Sequence, residues 1–316
     1  MRAIADTTGV AATDTGRMSG LGLELHGLTR SFGERCAVDD LSFSVAPGQL
    51  FGFVGRNGAG KTTTMRIICG LLEPDAGHVC WRGTRLDHAE RQWLGYMPEE
   101  RGLYPKMRVA DQLEYFAVLH GATREQARAA VRRWLARLGL ADRGAERVEA
   151  LSHGNQQRIQ LAAALVHEPA LLILDEPFAG LDPIATDVMA DVLREQARHG
   201  VPVLFSSHQL DLVEQLCEWV AIVDRGRLVA CGEVGALRAR GPRLLRLDVE
   251  DATAGWTAGL TGVEMVEQAG SRNVFKLDAD ADAQRILDAV RAAGTVTHFD
   301  ELRPSLAELF REVVAG

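Results

Sequence analysis

The feature that most constrains this chain is the segment GRNGAGKT, from Gly55 to Thr62. It follows the apolar run Gln49–Val54, which is typical of a buried strand, and it precedes the helical pattern of Thr62–Leu72. A strand, a loop of the form GxxxxGK[ST] and a helix in series direct backbone amides and a helix N-terminus at an anion. One of only three lysines, Lys61, occupies the position that the motif requires. The segment therefore predicts a phosphate-binding loop, in preference to a glycine turn that merely caps a helix.

The residue types in this loop suit a triphosphate with its metal ion. The ammonium group of Lys61 would lie beside the outer phosphates, and the hydroxyl of Thr62 would offer a ligand to Mg²⁺. Glycines would let the backbone wrap closely around the anion. The candidate phosphate-binding residues are Gly55, Asn57, Gly58, Gly60, Lys61, Thr62 and Thr63.

Two adjacent carboxylates follow a second apolar strand. Asp175 and Glu176 come directly after Ala170–Leu174. In a parallel sheet this strand would end beside the phosphate loop, so one acid could hold Mg²⁺ and the other could act as general base on water. The alternative, a strand that ends in an acidic turn, becomes weaker next to such a loop.

Strands and helices alternate along most of the chain, which predicts an α/β fold with a mixed sheet. Leu23–Leu28 and Leu41–Val45 alternate in hydrophobicity and predict an antiparallel part. A helical insertion is expected at about residues 100–160, where Thr123 and Gln126 have the spacing of a capping box. We expect this domain to occupy residues 21–238.

The two ends of the chain differ from this domain in composition. Residues 1–20 are rich in Ala, Thr and Gly, without the apolar stretch of a signal peptide, and are expected to form a disordered extension. Near 238–242 the composition shifts, and residues 241–316 carry 8 basic and 13 acidic residues. Their pattern of strands and helices predicts a small α+β C-terminal domain.

Charge, cysteines and hydropathy argue against several classes of protein. A net charge of −8 disfavours nucleic acid as a partner, because its binders use clustered positive charge. The five cysteines include no CxxC pair, so the sequence predicts neither a disulfide framework nor a zinc site, and indicates a reducing compartment. No apolar run approaches the roughly 20 residues of a membrane-spanning helix, so a membrane role would require a partner.

Three further segments complete a family pattern. LSHGNQQ, from Leu151 to Gln157, precedes the acid pair; GLDP, from Gly180 to Pro183, follows it; and His208 ends the tripeptide SSH. Together with the phosphate loop and the acids, in this order, they resemble the motifs of ATP-binding cassette (ABC) ATPases. The resemblance covers roughly residues 22–235 and implies a P-loop ABC-type nucleotide-binding domain that uses ATP and Mg²⁺.

The resemblance also implies a role for each matched residue. In this family ATP lies between the phosphate loop of one subunit and the signature segment of the other, which the resemblance places here at Leu151–Gln157. The implied catalytic residues are Glu176, His208 and Lys61. The implied nucleotide contacts outside the phosphate loop are Phe32 on adenine, Glu99, and Asp182 of the family's D-loop, here Gly180–Pro183. Ser152, Gly154 and Asn155 would contact the ATP that is bound to the other subunit. The implied metal ligands are Thr62, Asp175 and Glu99. Core packing remains an alternative for Phe32, and the alternative for His208 is a surface or core residue without a functional role.

The chain departs from the family pattern at two places. In the signature, Asn155 replaces the usual Gln and His153 replaces a common Gly. In the loop that leads into the helical insertion, Glu99 replaces the usual Gln. Glu99 can accept a hydrogen bond from water or approach Mg²⁺, but it adds negative charge and cannot donate as an amide does. The alternative for Glu99 is a solvated loop carboxylate.

Two shorter segments resemble an exporter subgroup related to sodium-efflux and antibiotic-resistance systems, Glu100–Met107 and Pro304–Phe310. The resemblance implies an ATPase subunit that dimerises, as an expected homodimer, and docks on separate transmembrane permease subunits at the cytoplasmic face of the membrane. One alternative is a soluble ABC ATPase acting on ribosomes or DNA, which would need two cassettes or a long coiled coil. The other is a regulatory subunit that binds ATP without hydrolysing it. Drug, lipid, ion and polymer export all remain open.

Overall fold

The structure, a computed structural model, describes residues 22–100, 102–251, 256–278 and 280–315. The chain divides into two compact units, one ending at Gly232 and the other beginning at Glu233. The extension that we expect to be disordered, residues 1–20, lies outside the described residues.

The first unit alternates strands and helices, as the sequence predicts. In chain order its elements are β1 (Leu23–Phe32), β2 (Arg35–Val45), β3 (Leu50–Val54), α1 (Lys61–Ile68), β4 (Ala76–Trp81), β5 (Thr84–Arg85), β6 (Leu94–Met97), α2 (Val109–Leu119), α3 (Arg124–Arg137), α4 (His153–Leu165), β7 (Leu171–Leu174), α5 (Pro183–Arg198), β8 (Val203–Ser207), α6 (Leu210–Leu216), β9 (Trp219–Asp224) and β10 (Arg227–Glu233).

A central sheet of the first unit has the strand order β10-β9-β3-β8-β7-β6. The five strands from β9 to β6 run parallel. All residues of β3, β7 and β8 are buried, because parallel strands are covered on both faces. Since β3, β8 and β7 are neighbours, their carboxyl ends at Val54, Ser207 and Leu174 meet at one edge, which brings together the segments that follow them.

A second sheet has the order β2-β1-β4-β5 and is antiparallel. Leu23, Leu25 and Leu28 of β1 are buried in a core that also contains Phe51 and Phe53 of the central sheet. The antiparallel part of the predicted fold is therefore present, and it joins the central sheet through a shared apolar core. Its turn between β1 and β2 follows Phe32.

The helical insertion lies between β6 and β7 and contains α2, α3 and α4. Gly121, which has φ +93°, lies between α2 and α3 and separates the two helices. The predicted capping box of α3 is present, with Thr123 Oγ1 accepting from Gln126 N and the Gln126 side chain accepting from Thr123 N. The apolar residues along one side of α3 and at its C-cap are buried: Ala127, Val131, Trp134 and Leu138.

The second unit is an α+β domain whose elements follow β10. They are α7 (Val234–Ala239), β11 (Arg243–Glu250), β12 (Val263–Ala269), β13 (Arg272–Leu277), α8 (Ala283–Arg291), β14 (Thr295–Leu302) and α9 (Leu306–Ala315). The strands form an antiparallel sheet in the order β12-β13-β11-β14. Leu245, Leu247, Phe275, Ile286 and Val290 form its buried core.

The division between the units falls a few residues before the composition shift at 238–242. The reason is that α7 belongs structurally to the second unit, where Arg238 Nε donates a 3.1 Å hydrogen bond to the carbonyl of Pro304. Within the described ranges, no helix is both long enough and apolar enough to cross a membrane.

Candidate functional site

A pocket of about 410 Å³ lies at the edge where the central strands end. It contains most of the residues that the sequence nominates for phosphate binding, together with Phe32, which is half exposed. The pocket is lined by Phe32, Arg35, Ala37, Asn57, Gly58, Gly60, Lys61, Thr62, Thr63, Glu99 and Glu176. Residues from four separate segments of the sequence therefore converge on one cavity.

The glycine loop forms a cradle that side chains could not occupy. Gly60 has φ +103°, and a Cβ placed on it would lie 2.3 Å from the carbonyl oxygen of Ala37. Gly55 is similarly confined, because its Cβ would lie 2.4 Å from Val223 O. The ammonium group of Lys61 lies inside this loop and donates to Gly55 O at 2.7 Å. The loop thus presents a buried cation and the N-terminus of α1 to the pocket, as a polyphosphate requires.

Asp175 is completely buried at the end of β7. Its Oδ1 accepts a 2.5 Å hydrogen bond from the hydroxyl of Ser206, and its buried Oδ2 has no hydrogen-bond partner among the described residues. Burial raises the pKa of this carboxyl group, although the Ser206 hydrogen bond opposes the shift. A buried oxygen without a partner is costly, so Asp175 is suited to a cation that would satisfy it.

The carboxylate of Glu176 lies between the side chains of His208 and Lys61. Its Oε2 is 2.9 Å from His208 Nδ1, and its Oε1 is 3.4 Å from Lys61 Nζ. The backbone of Glu176 has φ +51°, in the left-handed region that non-glycine residues rarely adopt. Its amide donates to Ser206 Oγ at 2.8 Å, which helps to hold this strained conformation. The geometry therefore directs the Glu176 side chain into the pocket.

Three side chains with oxygen donors could ligate Mg²⁺. Thr62 and Glu99 line the pocket, with Thr62 Oγ1 3.5 Å from Glu99 Oε2, and Asp175 is buried next to Glu176 at the end of β7. Hydroxyl and carboxylate oxygens, completed by water and phosphate oxygens, are the donors that Mg²⁺ prefers. The residues present fit this ion on their donor chemistry and on the unpartnered Asp175 oxygen.

Family comparisons agree with this geometry. A model of the ABC transporter family matches residues 38–179, and a model described as the C-terminal domain of DrrA1-3-like ATP-binding proteins matches residues 232–314. A protein of Bacillus subtilis, described as the uncharacterized ABC transporter ATP-binding protein YhaQ, is 37% identical over 295 residues; the match covers 93% of this chain and 99% of that protein. The chain belongs to the ABC transporter ATP-binding proteins. Proteins with this ABC domain hydrolyse ATP, and the chain is an ATPase of this family.

A second relative and a solved structure extend the comparison with ABC proteins. The linearmycin resistance ATP-binding protein LnrL of Bacillus subtilis is 29% identical over 300 residues, with 91% of this chain and 96% of LnrL covered. A solved structure described as the ATP-binding subunit of an ABC transporter is 32% identical, with a TM-score of 0.64, and covers 69% of this chain and 92% of its own. These matches confirm the predicted α/β fold of ABC type and the likeness to the antibiotic-resistance group.

The remaining ABC motif residues do not line the pocket. Ser152 is the N-cap of α4, where its Oγ accepts from Asn155 N at 3.4 Å, and Gly154 lies in the first turn of that helix. Asp182 is the N-cap of α5 and accepts from Ala185 N at 2.7 Å. Both helix N-termini are therefore capped, but in this single chain they lie outside the cavity that Lys61 and Glu176 share.

His153, one of the two residues that depart from the ABC signature, contacts the turn that leads to Asp182. Its Nε2 lies 3.3 Å from the carbonyl oxygen of Ala179, and its ring is 3.0 Å from the position that a Cβ on Gly180 would occupy. A histidine here thus contacts the turn before Asp182. A glycine, the commoner residue, could not make this contact.

Sequence reasoning missed three residues of this ABC site. Ser206 connects Asp175 to the backbone of Glu176, but the SSH tripeptide draws attention only to the histidine. Arg35 and Ala37 line the pocket from β2, and Arg35 donates to Gly58 O at 3.2 Å. Their only sequence signal is that they follow Phe32 across a tight turn.

Proposed function

We propose that this ABC protein hydrolyses MgATP as the ATPase subunit of an exporter, with Glu176 as the general base. The observation that carries the proposal is the position of the Glu176 carboxylate, in the phosphate-loop pocket and 2.9 Å from His208. The match of residues 232–314 to a DrrA1-3-like domain, and the likeness to a linearmycin resistance protein, favour export over other transport roles.

Each residue in or beside the pocket has a step that its geometry suits. Glu176 accepts the proton of the attacking water, and His208 holds the carboxylate in place and orients that water. Lys61 and the loop amides bind the β- and γ-phosphates, and the half-exposed ring of Phe32 offers a stacking surface to adenine. Thr62, Asp175 and Glu99 would hold Mg²⁺, which supplies charge neutralisation on the phosphates when it is bound.

We further propose that the site is completed by a second copy of the chain. The pocket is open to solvent, and the capped N-terminus of α4 lies outside it. In a symmetric dimer, Ser152, Gly154 and Asn155 of one copy can close the pocket of the other, with a hydroxyl and helix-terminal amides facing the γ-phosphate. Asp182, at the N-terminus of α5, would lie near the same interface.

Mixing two inactive variants tests this trans arrangement. Chains with Glu176→Gln are mixed with chains carrying Ser152→Asp, which keeps an N-cap acceptor but places a carboxylate toward the γ-phosphate. In a mixed dimer both changes fall on one composite site, and the other site is intact. Since half of the dimers are mixed, we expect about a quarter of the wild-type ATPase rate at equal mixing.

The control for this experiment mixes wild-type chains with chains that carry both substitutions. Each mixed dimer then has one change in each site, so only the wild-type dimers contribute activity. If the two single variants remain inactive when they are mixed, although mass measurements show mixed dimers with ATP bound, the trans site is wrong.

Exposed apolar side chains on the helical insertion support docking on a permease. Tyr104, Tyr115 and Leu119 are 52%, 48% and 67% exposed. Beside them a groove of about 290 Å³ lies between β6, α2 and α4 and includes Phe116 and Gln160. Apolar patches of this kind mark protein interfaces. We propose that a membrane subunit covers this face and holds the ATPase at the cytoplasmic surface of the membrane.

Glu99 would transmit the state of the phosphate site to this docking face. On one side Thr62 Oγ1 is 3.5 Å from its carboxylate. On the other, Gln160 of α4 donates to the carbonyls of Pro98 at 2.6 Å and Glu100 at 3.2 Å, and thereby ties the loop to the helix that begins at the signature. A change at the γ-phosphate can thus move the loop and the insertion together.

We expect Glu99→Ala to lower permease-coupled ATPase activity more than it lowers ATP affinity, because it removes the contact but leaves the phosphate loop intact. Glu99→Gln restores the commoner residue, removes a negative charge near the phosphates, and should preserve hydrolysis with equal or slightly tighter ATP binding. ATP affinity and coupled turnover are measured side by side. Glu100→Gln, which makes the same charge change one residue away, is the control. Unchanged coupled turnover in Glu99→Ala would show that Glu99 is only a solvated loop carboxylate.

A further inference from the structure

The antiparallel sheet carries a cluster of metal-binding side chains away from the nucleotide pocket. His26 on β1 is directly opposite His78 on β4, and their rings stack with centroids 4.9 Å apart. Glu24 and Cys80 form the cross-strand pair two residues along. Side chains of residues i and i+2 share one face of a strand, so all four side chains lie on the same face. The opposite face carries Leu23, Leu25 and Val79 into the core.

The spacing of the donor atoms approaches that of a metal site. One ligand atom from each of His26, His78 and Cys80 lies within 4.8 Å of the other two. Around a tetrahedral zinc ion, nitrogen and sulfur ligands are roughly 3.3–3.6 Å apart, given metal–ligand distances of about 2.0–2.3 Å. Side-chain rotations that move the donor atoms by about 1 Å would therefore bring them to ligand distance around an ion, with the backbone of both strands unchanged.

We propose that His26, His78 and Cys80 form a binding site for Zn²⁺ or a similar divalent transition-metal ion. Two imidazoles and a thiolate are donors for such ions and are poor ligands for Mg²⁺ or Ca²⁺. Three protein ligands leave one coordination position for water. The site is thus chemically distinct from the oxygen donors of Thr62, Asp175 and Glu99.

Glu24 acts in this site as a positioning residue. Its Oε2 lies 3.1 Å from His26 Nε2, and its side chain is only 19% exposed. Carboxylates that hydrogen-bond a ligating histidine fix its orientation and strengthen it as a ligand. Glu24 also contributes a negative charge beside the cation.

The ion would link β1 to β4. It would hold the two strands at His26 and His78, six residues before β1 ends at Phe32 on the rim of the nucleotide pocket. We therefore expect it to stabilise the antiparallel sheet, and its binding can be measured independently of ATP hydrolysis.

Cobalt titration of the full-length chain, without a polyhistidine tag and without nucleotide, tests the site. Tetrahedral Co²⁺ with a thiolate ligand gives visible ligand-field bands and an ultraviolet sulfur-to-cobalt charge-transfer band, and we expect Zn²⁺ to displace it stoichiometrically. The charge-transfer band identifies the cluster, because the proposed Mg²⁺ ligands include no sulfur. We also expect Zn²⁺ to raise the Tm of the wild-type chain.

Variants assign the signal. Cys80→Ser should abolish the charge-transfer band and the Zn²⁺-dependent rise in Tm, whereas Cys36→Ser, at an exposed cysteine on β2 of the same sheet, should retain both. Glu24→Gln should weaken Co²⁺ affinity by roughly 10- to 100-fold, as expected for loss of a carboxylate behind a ligating histidine. Circular dichroism confirms that each variant is folded. A wild-type chain without the charge-transfer band, or a band that persists in Cys80→Ser, would overturn the proposal.

Discussion

Glu176→Gln is expected to lower ATP turnover by about 10²- to 10⁴-fold while ATP binding is retained. The amide is nearly isosteric with the carboxylate and can keep a hydrogen bond to His208. In the wild-type chain Glu176 Oε2 lies 2.9 Å from His208 Nδ1. It cannot accept a proton from water at neutral pH, so the loss falls on the chemical step. Because it also removes the negative charge 3.4 Å from Lys61, we expect ATP affinity to be equal or higher.

Single-turnover hydrolysis and equilibrium ATP binding, measured on the same preparation, check this prediction. Gel filtration with ATP and Mg²⁺ should also show a shift toward dimer, because uncleaved ATP persists between the two copies. The matched control is Glu168→Gln, since Glu168 also has positive φ but lies on the surface, paired with Arg133. Wild-type turnover in Glu176→Gln would remove Glu176 from the role of general base.

Much of the candidate nucleotide site could be predicted from the sequence, because its determinants are local. The phosphate loop is specified by glycines and a lysine between one strand and one helix. The apolar runs that end at Val54 and Leu174 are long enough to indicate buried parallel strands, and carboxyl ends of parallel strands meet at one edge. The position of Glu176 near Lys61 follows from those two facts.

The features that escaped prediction depend on pairing between distant strands. Only Val79 and Trp81 of β4 are buried, and β5 consists of the two polar residues Thr84 and Arg85, so neither strand shows a clear alternation. β12 and β14 are edge strands of the second unit with almost no buried residues. The contacts of Ser206 with Asp175 and Glu176 depend on the pairing of β8 with β7, which no local pattern in the sequence indicates.

The histidine and cysteine cluster shows the same limit. The chain has no CxxC pair, yet the register of β1 and β4 brings His26 close to His78 and Cys80. A donor set divided between two strands has no short sequence pattern. Its only local signals are the Glu24/His26 and His78/Cys80 spacings of two residues, which are common on the exposed faces of strands.

Lys61→Ala should produce a loss of a different kind, in nucleotide binding itself. The ammonium group is almost fully buried, donates to Gly55 O at 2.7 Å, and is 3.4 Å from the Glu176 carboxylate. Alanine removes the positive charge that faces the phosphates and leaves the negative charge of Glu176 beside them. Since a hydrogen bond to a charged group contributes about 1.5–3 kcal/mol, MgATP affinity should fall by roughly 10- to 100-fold, and turnover should fall with it.

Isothermal titration with MgATP distinguishes this variant from Glu176→Gln, which keeps its affinity. Lys276→Ala, at an exposed lysine of β13, is the control for loss of one positive charge. Lys61→Arg keeps the charge but replaces a compact ammonium group, which donates to the Gly55 and Arg56 carbonyls, with a larger planar guanidinium. It should therefore bind MgATP more weakly than the wild-type chain. Wild-type affinity in a folded Lys61→Ala protein would show that the loop amides alone hold the phosphates.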